Sequence, residues 1–166
     1  MLETDDIAPD FTLVGTRGDG IEEFTLSEVA DERLTMLVFY IYDFSPACTE
    51  QICEINDMEL LTLNDDVAVL GISSDGPYSH QQFINQNNIS YPLLTDDEKQ
   101  VYEEYGMLEQ NGDGTRQAKR GLVLIDTGQT VRYQWTTDDK WDEWRTSPLQ
   151  ESYEIIRQLT GRADSQ

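Results

Sequence analysis

Residues 39–53 read FYIYDFSPACTEQIC, and they carry a strand, a turn and a helix start in that order. Val38, Phe39 and Tyr40 close an apolar, β-branched and aromatic run from Thr35 to Ile41, which reads as a buried strand. Ser45-Pro46 then supplies a capping hydroxyl followed by a first-turn proline, so a helix is expected from Pro46 to about Asn64. Cys48 falls in the first turn of that helix. Unpaired backbone N–H groups and the positive end of the helix dipole favour an anion there, and the thiolate is the reactive form of cysteine. Cys53 follows five positions later, an arrangement suited to thiol redox chemistry.

Working outward, Phe11 to Val14 and Glu23 to Thr25 read as short strands around a Gly/Asp-rich turn, with Ser27 capping a short helix in LSEVADE. VAVLGI, Val67 to Ile72, is a nearly continuous apolar run that suits a strand covered on both faces. Ser79 to about Asn87 reads as a polar helix, YPLLTD as a turn, and Glu98 to Tyr105 as another helix. NGDGTRQAKR reads as an exposed loop. Leu122 to Ile125 and Val131 to Trp135 flank a hairpin loop at Asp126 to Gln129, and Pro148 starts a terminal helix that Gly161 ends. Strands alternating with helices, then a hairpin before the last helix, imply an α/β architecture with a mixed sheet.

At 166 residues with 38% hydrophobic content the chain suits one domain, 1–166, with a single core. Its 33 acidic and 11 basic residues give a net charge of -22, spread over the whole length, with Lys99, Lys119 and Lys140 the only lysines. Nucleic acid is a poor partner for such a surface, because phosphate binding needs lysine and arginine. The pattern resembles halophilic proteins, in which molar salt screens self-repulsion to about 3 Å. The N-terminus has no basic region followed by an apolar stretch, and no apolar run is long enough to span a bilayer, so no membrane role is expected. Two cysteines in such a chain argue for a reducing cytoplasm.

Five segments then fall in a telling order. They are IAPDFTL (Ile7 to Leu13), the stretch around Cys48, GISSD (Gly71 to Asp75) followed by SHQQF, YPLLTD (Tyr91 to Asp96) and RGLVLID (Arg120 to Asp126). Over nearly its whole length the chain resembles the peroxiredoxins, most closely the branch named for bacterioferritin comigratory protein. The resemblance implies a thioredoxin-like fold, a central mixed sheet flanked by helices, and a peroxidase that needs no bound cofactor. It implies that Cys48 attacks a peroxide oxygen, releases water or an alcohol and becomes a sulfenic acid. Ser45 would hydrogen-bond the peroxide, and Arg120, a rigid and permanently charged donor, would hold the thiolate and polarise the developing charge. Gln51 stands where relatives often carry glutamate and could orient Arg120 through its carbonyl. The family motif is proline, three residues, threonine or serine, two residues, cysteine. Ile41 occupies the proline position, which alters the pocket at a point where proline would leave no competing N–H.

Cys53 falls where this branch places its resolving cysteine, so the resemblance implies an intramolecular Cys48–Cys53 disulfide. Five residues on an intact helix rise about 7.5 Å, whereas a disulfide needs Cα atoms within about 7 Å, so the helix start would have to unwind in each cycle. A thioredoxin- or glutaredoxin-like protein would then reduce the disulfide, and relatives in this branch are monomers or homodimers. Other readings remain open. Cys53 could be a core residue in a one-cysteine enzyme reduced by an external thiol, and the chain could be a redox sensor on the same fold. A disulfide oxidoreductase is disfavoured by the missing C-x-x-C spacing. Arg116 and Lys119 compete with Arg120, and Ser45 could serve as a cap alone. His80, the one histidine, reads as part of a solvated helix with no catalytic role, and two cysteines with a distant histidine are too few for a metal site. Tyr133, Trp135, Trp141 and Trp144 read as packing residues and Asp138-Asp139 as solvated.

Overall fold

The structure is a computed structural model that describes residues 3–58, 65–110, 112–114, 116–136 and 146–160. Nine strands are described: β1 Thr12–Thr16, β2 Ile21–Thr25, β3 Leu34–Phe39, β4 Val67–Ser73, β5 Leu93–Thr95, β6 Leu108–Gln110, β7 Arg116–Ala118, β8 Gly121–Ile125 and β9 Val131–Thr136. Between and after them run α1 Leu26–Val29, α2 Pro46–Asn56, α3 Pro77–Asn87, α4 Gln100–Glu104 and α5 Thr146–Thr160. Seven strands form one sheet in the order β2-β1-β5-β4-β3-β8-β9, and β6 pairs with β7 separately. β4 runs parallel to both β3 and β5, while β8 is antiparallel to β3, so the sheet is mixed as expected.

The strands at the centre are apolar on both faces because both faces are covered. Met36 and Val38 of β3, Val67 and Val69 of β4, and Leu122 and Leu124 of β8 enter one core with Ile52, Ile55 and Phe83. Their alternate neighbours Leu37, Phe39, Leu70, Ile72, Val123 and Ile125 enter a second core with Phe11, Tyr102 and Tyr105. This is the two-residue period of a strand distributing one continuous apolar run to two layers.

Several sequence-based boundaries move. YPLLTD contains β5, a strand of three residues too short to show a period, and the polar loop before Arg120 contains β7, which exists through its pairing with β6. α2 ends at Asn56, where Asp57 closes it with its N–H on the Cys53 carbonyl at 3.0 Å; residues 59–64 of the longer expected helix lie outside the described residues. Ser27 does not cap α1. Thr25 is the N-cap and makes no side-chain cap bond, while Asp10 Oδ1 accepts the Ser27 N–H at 2.8 Å. α5 begins at Thr146, ahead of Pro148; Gly161, Trp141, Trp144 and Asp138-Asp139 lie outside the described residues.

Three buried tyrosines tie the layers together: Tyr40 to Asp43, Tyr91 to the Ile52 carbonyl of α2 at 2.8 Å, and Tyr102 to the carbonyls of Tyr40 and Ile72. Burial, the largest cause for each, pushes all three phenols well above their usual 10.0. Above pH 10 the unfolded chain releases these protons and the folded chain keeps them, so stability declines as pH rises, by about 1.4 kcal/mol per pH unit for each tyrosine. Chemical denaturation should therefore show stability falling steeply from about pH 10 upward, with a shallower fall in Tyr91→Phe. A flat profile through that range would contradict the burial of these phenols.

Candidate active site

β3 ends at Phe39, and residues 40–45 turn the chain onto α2. Ser45 is the N-cap, with extended backbone, and its Oγ accepts the Cys48 N–H at 3.2 Å while its carbonyl accepts the Thr49 N–H at 2.8 Å. Pro46 follows as the first helical residue, where a missing N–H costs nothing. Cys48 is only 3% exposed and packs in the core with Tyr40, Ile41 and Ile52. Its sulfur accepts a hydrogen bond from the Ile41 N–H at 3.4 Å. The residue in the place of the motif proline thus contributes a donor, not merely bulk.

Arg120 immediately precedes β8. The antiparallel register pairs Gly121 with Phe39, so Arg120 lies past the end of β3, at the same edge of the sheet as the 40–45 turn. A Cβ at Gly121 would sit 2.5 Å from Met107 Sδ and 2.8 Å from the Trp135 carbonyl, so the strand can pass here only as glycine. Arg120 is 1% exposed, and none of its three guanidinium nitrogens has a hydrogen-bond partner among the described residues. A buried cation left without partners is expensive, and the cost is relieved by an anion or a developing negative charge. Of its two competitors, Lys119 is only half-buried, and the Arg116 side chain lies outside the described residues.

Gln51 is fully buried, but it does not orient Arg120. Its amide Nε2 donates to the Phe39 carbonyl at 3.3 Å and its Oε1 has no hydrogen-bond partner among the described residues, so it pins the end of β3 instead. Cys53, on the same unbroken helix, is half-buried, with its thiol 4.0 Å from Asn87 Oδ1. Burial, with Asp57 adding to it, pushes this thiol up, so it is held in the protonated form. Both cysteines are free.

The largest departure from expectation is His80. It is fully buried, because it lies three and four residues before Phe83 and Ile84 on the inner face of α3. Its Nδ1 lies 2.8 Å from Asp43 Oδ2 and its Nε2 lies 3.0 Å from the Leu94 carbonyl oxygen. Asp43, unremarkable in sequence, is buried in the turn before Cys48 and also accepts the hydroxyls of Tyr40 and Ser79. The i, i+3, i+4 spacing of His80 with Phe83 and Ile84 was the signal for this burial. Among the described residues no group of three or more His, Cys, Asp or Glu is placed to hold a metal ion, and no helix is long and apolar enough to cross a membrane.

The fold is thioredoxin-like, a mixed central sheet with flanking helices. The AhpC/TSA family model matches residues 4–134. Peroxiredoxin Bcp of Bacillus subtilis is 28% identical over 137 residues, covering 81% of this chain and 85% of that protein. Peroxiredoxin Bcp of Escherichia coli is 33% identical over 106 residues, 64% of this chain and 65% of its own. The crystal structure of peroxidoxin BcpB from Mycobacterium tuberculosis shares the fold, with a TM-score of 0.80 at 23% identity over 96% of this chain and 99% of that one. The chain belongs to the AhpC/TSA family and is a peroxiredoxin, hence a peroxidase.

Proposed function

We propose that Cys48 reduces hydrogen peroxide or an organic hydroperoxide, and that Cys53 resolves the product. The supporting observation is a capped, N–H-bonded Cys48 at the same end of β3 as a buried Arg120 guanidinium without a hydrogen-bond partner among the described residues. The Cys48 thiolate attacks one peroxide oxygen; the O–O bond breaks, and the departing oxygen takes a proton and leaves as water or an alcohol. Cys48 becomes a sulfenic acid, oxidised by two electrons. Ser45 Oγ spends its lone pair on the Cys48 N–H, which leaves its hydrogen free to donate to the peroxide. Arg120 stabilises the charge that develops on the departing oxygen.

The Cys53 thiol then condenses with the sulfenic acid, forming the S–S bond and releasing water. Both cysteines lie within α2, and the Ser45 cap fixes its first turn, so that turn must open for the sulfurs to meet. A raised Cys53 thiol suits the order of events, since the group that stays protonated does not compete for peroxide. A dithiol protein of the thioredoxin or glutaredoxin kind returns both cysteines to thiols, in a reducing compartment such as the cytoplasm.

The test is peroxide consumption coupled to a thioredoxin, its reductase and NADPH. Sustained turnover that stops with Cys53→Ser under the same reductant is the expected result. Normal turnover by Cys53→Ser would leave a one-cysteine enzyme, insulin reduction would point to a disulfide oxidoreductase, and slow stoichiometric oxidation would point to a sensor.

A further inference from the structure

The peptide between Tyr40 and Ile41 is gripped at both of its polar ends. Its N–H donates to Cys48 Sγ at 3.4 Å, and its carbonyl oxygen accepts the hydroxyl of Tyr102, which also donates to the Ile72 carbonyl at 2.9 Å. A trans peptide is planar, with its N–H and C=O pointing in opposite directions, so a donor fixed behind the carbonyl fixes the aim of the N–H in front. It also polarises the peptide and strengthens that N–H as a donor.

The turn that follows is held from the side. The Asp43 carboxylate takes the Tyr40 hydroxyl on Oδ1 at 2.6 Å, and on Oδ2 the Ser79 hydroxyl and His80 Nδ1, both at 2.8 Å. The Asp43 N–H donates at 2.7 Å to Asp75 Oδ2, which also accepts the Ser73 hydroxyl. Burial, followed by the Asp43 charge, keeps the Tyr40 phenol well above its usual range and therefore a donor. One residue on, Phe44 has a φ of +70°, a conformation that bulky residues rarely adopt, and its ring stands edge-on to Phe83 of α3 at 5.1 Å. Such backbone persists only where the surroundings over-determine it. The peroxide chemistry uses none of Tyr102, Asp43 or His80.

We infer that the Tyr40–Ile41 peptide is a fixed donor to the Cys48 thiolate, and that Tyr102 from behind and the Asp43–His80 pair from the side are its positioning residues. The inference rests on Cys48 being the reactive thiolate of the proposed reaction, and it adds the groups that aim a hydrogen bond at that sulfur. A hydrogen bond weakens steeply as its angle closes, so a small rotation of this peptide removes it.

The test follows alkylation of Cys48 by iodoacetamide against pH, in the Cys53→Ser protein, by mass spectrometry. Tyr102→Phe should raise the midpoint by up to about one pH unit, since a misaimed donor disfavours the thiolate. Ile41→Pro removes the N–H itself; it should raise the midpoint similarly, and adding Tyr102→Phe to it should shift nothing further. A purely structural role would lower the melting temperature and leave the midpoint unmoved. An unchanged midpoint in folded Tyr102→Phe overturns the inference, as does an equal shift by Tyr102→Phe with or without the Ile41 N–H. Should the midpoints shift as expected while wild type consumes no peroxide, the peroxidase reading fails and the donor assignment stands.

Discussion

Replacing Arg120 by methionine should make the protein more stable and a far poorer peroxidase. The guanidinium is 1% exposed and its three nitrogens have no partners among the described residues, so the resting fold carries a desolvated cation with little in return. Exchanging buried charged groups for apolar ones of similar volume is often neutral or stabilising, by about 1–4 kcal/mol. In the proposed reaction the same charge stabilises the departing peroxide oxygen, and removing one preorganised donor of this kind costs about 10²–10³ in rate. Thermal melting and stopped-flow peroxide reduction, measured on the same preparation, give the two signs. Arg120→Lys is informative beside it: the charge remains but the planar fork is lost, so only part of the rate should return. A methionine variant that melts lower and keeps its rate would show that Arg120 is a structural residue.

The largest effect is expected at Cys48. Cys48→Ser keeps the volume nearly unchanged and still offers Ile41 N–H an acceptor, so the fold should survive with its melting temperature little altered. Peroxide reduction should nevertheless vanish, because a hydroxyl does not supply the low-energy anionic nucleophile that a thiolate does. Cys53→Ser should instead allow the first oxidation and block the second step. The pair of variants separates attack from resolution, two roles that sequence spacing alone leaves entangled.

What was legible in the sequence follows physical rules that act locally. β3, β4 and β8 announced themselves as apolar runs, and Ser45-Pro46 placed the start of α2 at its observed position, because a cap and a first-turn proline are determined by neighbours in the chain. β5 and β7 were hidden since each has three residues and exists only through partners distant in sequence. Within the proposed site, motif and order single out Cys48, Ser45 and Arg120; the structure has Ser45 capping the Cys48 N–H and Arg120 past the end of β3. For the Asp43–His80 pair, the spacing of His80 with Phe83 and Ile84 could mark that His80 is buried, but its meeting with Asp43 depends on partners from other elements, here Tyr40, Ser79 and the Leu94 carbonyl, which no spacing along one segment records. The expected link from the Gln51 carbonyl to Arg120 does not form either: Nε2 donates to the Phe39 carbonyl, and Oε1 has no hydrogen-bond partner among the described residues.

The most direct measurement is the intact mass of wild type, Cys48→Ser and Cys53→Ser after brief exposure to one equivalent of hydrogen peroxide. Wild type should lose two hydrogens as the disulfide forms, Cys53→Ser should gain one oxygen at Cys48, and Cys48→Ser should remain unchanged over the same interval. Rapid oxidation of Cys48→Ser, with Cys48 left as a thiol in Cys53→Ser, would contradict the account.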